Sequence, residues 1–147
     1  MKYVTNKEKG INYTQRPGAY ALIVQKNSDK VGIVTNGTEY FYLGGGIEKG
    51  ETKLQALARE LIEEAGSTLK NIKEFETVGD YIYDEEKGYF DVIANVYIAE
   101  FDKKVTEPIE KDHFVIWVTP EEYTEKMHRP WQRYIMQEYI KQYKNIQ

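Results

Sequence analysis

Gly45-Gly46-Ile47-Glu48-Lys49-Gly50-Glu51 and, after seven intervening residues, Arg59-Glu60-Leu61-Ile62-Glu63-Glu64-Ala65-Gly66-Ser67, is the stretch on which the reading of this chain turns. A glycine-rich turn runs into a segment of helical character. Glu60, Glu63 and Glu64 fall at i, i+3 and i+4, so on a helix their carboxylates share one surface. Like charges at that spacing destabilise a bare helix by roughly 0.2–0.5 kcal/mol per pair. A hard divalent cation turns the repulsion into coordination, because magnesium and manganese prefer oxygen ligands.

The ends of this helix are legible. Thr52 is placed to act as N-cap and Gln55, three residues on, to complete a capping box. Gly66 stands where a left-handed C-cap is expected. Leu54, Ala58, Leu61 and Ala65 form an apolar stripe that should pack on a sheet, which leaves the acidic cluster on a face open to ligand.

Working outward, residues 1–17 are polar and end at the breaker pair Pro17-Gly18. Ala19 to Lys26 reads as a strand buried on both faces, and Lys30 to Thr35 as a second. Asn36-Gly37 signals a hairpin with Thr38 to Leu43 as the returning strand. After the helix, Ile72 to Tyr83 and Tyr89 to Phe101 form a long hairpin across the turn Asp84 to Gly88. In its second arm Phe90, Val92, Ala94, Val96 and Ile98 point to a core, and Tyr89, Asp91, Ile93, Asn95 and Tyr97 the other way. Phe114 to Val118 reads as a short buried strand. Pro120 opens a helical turn with Thr119 as its N-cap, and an amphipathic helix runs from about Pro130 to Lys144 on Ile135, Tyr139 and Tyr143. Strands outnumber helices, which fits an α/β fold with a mixed sheet between helices.

Composition narrows the function. Hydrophobic residues make up 41% and charged residues 30%, the balance of an ordinary globular domain. The absence of cysteine excludes a disulfide framework, a thiolate zinc site and a cysteine nucleophile, and fits a cytoplasmic location. A net charge of −4 argues against a nucleic-acid polymer as partner. No apolar run is long enough to span a membrane.

The stretch Gly45 to Ser67 resembles the Nudix box, G-x5-E-x7-R-E-U-x-E-E-x-G-U, where U is a bulky aliphatic residue. Gly45, Glu51, Arg59, Glu60, Leu61, Glu63, Glu64 and Gly66 match it. Ser67 stands where an aliphatic residue is usual, a departure that bears on the packing of the helix end. The resemblance implies a single domain over residues 1–147 with a Nudix-type α/β/α sandwich. It implies hydrolysis of a phosphoanhydride bond in a nucleoside diphosphate linked to some group X, by attack of water on phosphorus, with Mg2+ or Mn2+ as cofactor. By matching positions, the metal ligands are the Gly45 carbonyl, Glu60, Glu63 and Glu64, and Glu51 with Arg59 is a pair that locks loop to helix. A further catalytic carboxylate is expected from the loop Thr106 to His113, with Glu110 the first choice, then Glu107 and Asp112. Which glutamate is the general base stays open. So does the substrate, whether a nucleoside triphosphate, a nucleotide sugar or a dinucleoside polyphosphate. The rival reading is a non-catalytic Nudix-like module that senses a nucleotide or binds a protein. A homodimer is compatible with the family.

Thirteen tyrosines invite a base-stacking role. Tyr20, Phe41, Tyr81, Tyr83, Tyr89 and Tyr97 lie on expected strands, with Asp91 and Asn95 beside them. Tyr81, Tyr83, Asp91 and Asn95 are the substrate-binding candidates. Strand tyrosines that simply fill a half-buried surface are the competing reading. His113 and His128 read as loop residues. His128-Arg129-Pro130-Trp131-Gln132-Arg133 reads as the start of a packed helix, with contact to phosphate as the alternative. Arg16 is a candidate for reaching a distal phosphate.

Overall fold

The computed structural model of the chain describes residues 1–144. Among them, eight strands share one sheet: β1 (Lys2–Tyr3), β2 (Thr14–Val24), β3 (Val31–Thr35), β4 (Tyr40–Phe41), β5 (Leu43–Gly46), β6 (Ser67–Asp84), β7 (Gly88–Lys104) and β8 (Phe114–Val118). The helices are α1 (Lys53–Ala65), α2 (Pro120–Tyr123) and α3 (Pro130–Tyr139), with a tight helical turn at Thr124–Lys126 and a wide one at Ile140–Lys144. The strands run in the order β1-β6-β7-β2-β3-β4, with β5 also beside β2 and β8 beside β3. β1 pairs with β6 and β2 with β7 in parallel; the other pairs are antiparallel.

Alternation along β7 decides the layering. Phe90, Val92, Ala94, Val96 and Ile98 pack in one core with Trp131, Ile135 and Met136 of α3. Tyr97 and Ala99 point the other way and join Ala56, Leu57 and Leu61 of α1 in a second core. The sheet is therefore sandwiched between α1 and α3, and the α/β/α expectation holds. Burying a leucine such as Leu61 stabilises the fold by about 1.5–3 kcal/mol, and truncating it to Ala costs about 2–5 kcal/mol.

The helix ends behave as expected. Thr52 accepts the Gln55 N–H and the Gln55 side chain accepts the Thr52 N–H, while Gly66 closes the helix at φ +63°. The buried face of α1 does not. Leu54 is exposed, Ala58 also, and the buried positions are Ala56, Leu57, Leu61 and Glu64. The helix is rotated so that Ala56, Leu57, Leu61 and Glu64 meet the sheet, and Leu54 and Ala58, one turn apart on the neighbouring strip, face solvent. The true stripe passes through Glu64, a carboxylate that the apolar pattern had no reason to count.

Other boundaries shift for local reasons. β2 begins at Thr14, so Pro17 lies inside a strand. There only β7 flanks β2 along a ladder, and an edge tolerates a residue without an N–H. The return from Asn36-Gly37 is short: Tyr40 and Phe41 pair with β3, then the chain crosses at the buried Tyr42 and Leu43–Gly46 pairs with β2 instead. β6 begins at once after α1 and bulges before Glu76, with Asn71 at φ +53°. Polar residues and bulges hide its first half from a period-two reading. In β8 Phe114 is exposed and only Val118 is buried, so that strand is half-buried. Thr119 precedes α2 without a side-chain cap, and Tyr143 lies past the regular helix with 41% exposure.

Candidate active site

The glycines of β5 are the floor on which α1 lays its carboxylates. β5 pairs with β2, Gly45 opposite Ala19 and Gly44 opposite Tyr20. Gly44 has φ +132°, where a side chain would run into the Ala19 carbonyl. A Cβ at Gly45 would lie 2.5 Å from Glu60 Oε1. The turn is glycine because the Glu60 carboxylate occupies the space a side chain would need.

Glu64 is 9% exposed, and Gly44 N–H donates to its Oε1 at 2.7 Å. Burial pushes its carboxyl up to about 9, with Glu60, Glu110 and Glu63 adding repulsion and the Gly44 bond opposing. Burial also raises Glu60, against the pull of Arg59. Glu51 is held below its ordinary value by the Arg59 bond and by the Glu48 amide. Arg59 ties the turn to the helix. Its Nε and Nη2 donate to the two oxygens of Glu51 at 2.8 Å and 3.0 Å, Nη2 donates to Gly46 O at 3.0 Å, and Nη1 donates to Glu60 at 3.0 Å. Glu63 is 3.5 Å from the same guanidinium.

The fourth carboxylate arrives on a docked loop. Gly66 O accepts the N–H groups of Val105 and Thr106, and Glu63 O accepts those of Ile109 and Glu110. A side chain at Gly66 would strike the Thr106 carbonyl, so the same glycine caps the helix and seats the loop. Glu110 is thereby carried to the end of α1, close enough for its charge to act on Glu60 and Glu64. Glu107 is turned outward to Lys104 at 3.0 Å. Ser67 donates to Ala65 O, and Leu69 helps pack the second core.

The donors brought together are the Glu60 and Glu64 carboxylates at the edge of the Gly45 turn, with Glu63 and Glu110 beside them. All are oxygens, the set a hard divalent cation prefers. Among the described residues no three acidic, histidine or cysteine side chains already stand in metal-holding geometry. Arg59 draws Glu60 and Glu63 to itself, and Glu64 is turned to Gly44. The chemistry of the donors and the glycine cradle nevertheless fit such an ion.

Beside Glu64 a cleft of about 280 Å³ opens toward α3. Tyr20, Phe41, His113, His128 and Trp131 are among its walls. Tyr81, Tyr83, Asp91 and Asn95 are not. Tyr81 stacks on Tyr3 at 4.6 Å, Tyr83 is exposed beside Tyr89, and Asp91 accepts from the Tyr3 hydroxyl at 2.9 Å. These side chains alternate away from Ile82 and Val92, which do line the cleft. Asn95 is buried and donates to Gly18 O at 3.0 Å, pinning β7 to β2. His113 and His128 gain a place at the site that spacing did not reveal. His128 Nδ1 lies 2.7 Å from Glu39, and its ring meets the Phe41 ring. Their contributions come from distant segments, so only the fold brings them in. The basic segment at 128–133 does two things: Pro130 and Trp131 start the packed helix, while His128 and Arg129 face the cleft.

A family model described as "NUDIX domain" matches residues 10–139. No curated protein is significantly similar in sequence. Solved structures share the fold. One, from a study of MutT from Aliivibrio salmonicida and Vibrio cholerae, superposes with TM-score 0.66 at 18% identity over 88% of this chain and 100% of its own. The mutator MutT protein of Bacillus halodurans gives 0.61 at 22% identity, over 83% of this chain and 80% of that one. The Escherichia coli dihydroneopterin triphosphate pyrophosphohydrolase gives 0.67 at 15% identity, over 88% and 98%.

Proposed function

This chain belongs to the Nudix family of pyrophosphohydrolases, and from that premise we propose that it hydrolyses a phosphoanhydride bond in a nucleoside triphosphate or related nucleotide, with Mg2+ or Mn2+, as a single domain in the cytoplasm. The observation that carries this reading is the Glu64 carboxyl, buried beside a glycine turn that leaves room for Glu60. A buried carboxylate among other carboxylates, with one backbone N–H and no cationic partner, is costly, and its retention is accounted for by a cation that it helps to bind.

Glu60, Glu64 and the Gly45 carbonyl would hold the ion, with Glu63 completing or orienting the set. When bound, the ion screens the phosphate charge and acidifies water. Glu110, facing the cluster from the docked loop, is our choice for the group that takes the proton from the attacking water. Arg59 acts through others: it fixes Glu51 and the turn, and so the position of Gly45 and Glu60. The aromatic walls of the cleft supply a flat surface for a base.

The test is release of phosphate and pyrophosphate from a panel of nucleotides and conjugates with magnesium or manganese, for wild type beside Glu64→Gln. Selective turnover lost in the variant supports the reading and names the substrate. No turnover across the panel, with tight binding of one ligand, moves the weight to a sensing module.

A further inference from the structure

The chain has arginines at 16, 59, 129 and 133. Arg59 is saturated by carboxylates, and Arg133 donates to the carbonyls of Met127 and His128. Arg16 and Arg129 differ. Among the described residues neither has a carboxylate within ion-pair distance, and both line the cleft beside Glu64. The acidic neighbours that feel the charge of Arg129 are already engaged. Asp80 accepts from Thr5 and from Trp131 N–H, and Asp84 accepts the N–H groups of Glu86 and Lys87.

Register brings the two arginines to one end of the cleft: Arg16 stands opposite Val92 and Val92 opposite Asp80, whose carboxylate accepts the Trp131 N–H two residues beyond Arg129. Arg16, Gly18 and Tyr20 share one face of β2. A Cβ at Gly18 would lie 2.6 Å from the Tyr20 ring, so that ring lies along the strand over the glycine, toward Arg16. At its other end Tyr20 stands opposite Gly44, whose N–H holds Glu64. Tyr20 lies four residue steps along the strand from Arg16, about 13 Å between their Cα positions. The Arg16 guanidinium rests on the Phe90 ring at 4.2 Å, which fixes it in the wall. The cleft thus has an acidic pole, an aromatic middle of Tyr20 and Trp131 packed at 4.6 Å, and a basic pole.

We infer that Arg16 and Arg129 form a subsite for a phosphate group of the substrate that lies outside the anhydride bond being broken. The inference rests on the hydrolase reading of the acidic pole. Guanidinium forks match phosphate oxygens two at a time, and with no carboxylate of the described residues within ion-pair distance, both forks are available to a ligand, while Asp80 and Asp84 act on Arg129 only at longer range. The phosphate has two chemical sources, the terminal phosphate of a polyphosphate chain or a phosphate ester on a ribose.

The experiment compares two matched pairs, a nucleoside triphosphate against its diphosphate and a dinucleotide with and without a ribose 2′-phosphate. Wild type, Arg16→Gln, Arg129→Gln and the double variant are assayed with magnesium. At least one pair should favour its extra phosphate in wild type by about tenfold or more in kcat/KM, through KM, and the ratio should fall toward one in the double variant. The pair that responds identifies the source. Equal handling of both pairs by wild type, or a preference that survives in the double variant, overturns the inference. Should wild type turn over none of the four, the hydrolase reading is decided by the wider panel, and the subsite by binding. Calorimetric binding of the same pairs to Glu64→Gln protein, with and without the arginine substitutions, then decides the subsite: tighter binding that depends on the arginines supports it, and equal binding overturns it.

Discussion

Arg59 grips both carboxylate oxygens of Glu51, at 2.8 Å and 3.0 Å, and one of those oxygens also accepts the Glu48 amide. A single guanidinium thereby spans the turn, the helix and the edge of the acidic cluster. Its reach depends on a planar fork, which lysine lacks.

Arg59→Lys should therefore keep the charge and lose the lock. Thermal stability should fall, and only modestly, since the pair is open to solvent. A drop in kcat of tenfold or more should accompany it, because Gly45 and Glu60 lose their shared anchor. Thermal denaturation and steady-state kinetics, measured together, check both. A variant with wild-type kcat would show that the turn holds itself.

Two alanine substitutions at glycine should separate chemistry from folding. In Gly45→Ala the new Cβ meets the end of the Glu60 side chain, which can swing away, so the fold should survive while manganese affinity and turnover fall. In Gly66→Ala the Cβ meets the backbone carbonyl of Thr106 at a residue with φ +63°. Stability should drop by more than about 1 kcal/mol, and the loop bearing Glu110 should loosen. Calorimetric Tm and amide exchange at Ile109 and Glu110 distinguish the two.

Glu64 makes metal-free stability depend on pH. Its carboxyl rises from 4.5 to about 9 on folding, so the folded state keeps the proton longer than the unfolded chain. This contribution is fully present below 4.5 and is lost as pH climbs toward about 9. Tm with chelator present should fall over that window, and Glu64→Gln should flatten the fall. Manganese must displace the proton, so its apparent affinity should increase with pH across the same range. Thermal scans and metal titrations from pH 5 to pH 9 read both slopes; a wild-type Tm that rises with pH would exclude a buried, protonated Glu64.

Glu110 and Glu107 sit three residues apart on one loop with opposite fates. Glu110→Gln should lower kcat about a hundredfold or more with the Tm little changed. Glu107→Gln removes only an exposed partner of Lys104, and its kinetics should stay within about twofold of wild type. Equal effects of the two substitutions would return the loop carboxylates to a solvating role.

Sequence order carried the acidic helix, its Thr52–Gln55 box and its Gly66 stop, because each is a local device written in neighbouring residues. The hairpin at Asn36-Gly37 was legible for the same reason. The phase of α1 was not. A pattern of apolar residues assigns Leu54 to the core and leaves Glu64 out, whereas the fold exposes Leu54 and buries Glu64. A carboxylate placed in a core breaks the rule on which the pattern depends, and here it lies at the proposed site. The cleft was legible only in fragments. Arg16, Phe41, His113 and His128 have no common spacing, and the crossing at Tyr42 that brings Phe41 beside His128 is a tertiary event. The strand tyrosines were visible as a set, but which sheet face each one takes depended on a register that single strands do not reveal.

β2 has hydrogen-bonded neighbours in β3, β5 and β7, drawn from both sides of the chain's midpoint. A strand so enclosed should open only with the whole sheet, and its amide protons should be among the slowest to exchange. During synthesis it must wait for β7, which ends at Lys104, and for the segment beyond that brings Glu110 and His128. The emerging chain therefore cannot assemble the proposed site before the segment through His128 is made, and turnover becomes a sensitive reporter of folding across the whole sheet.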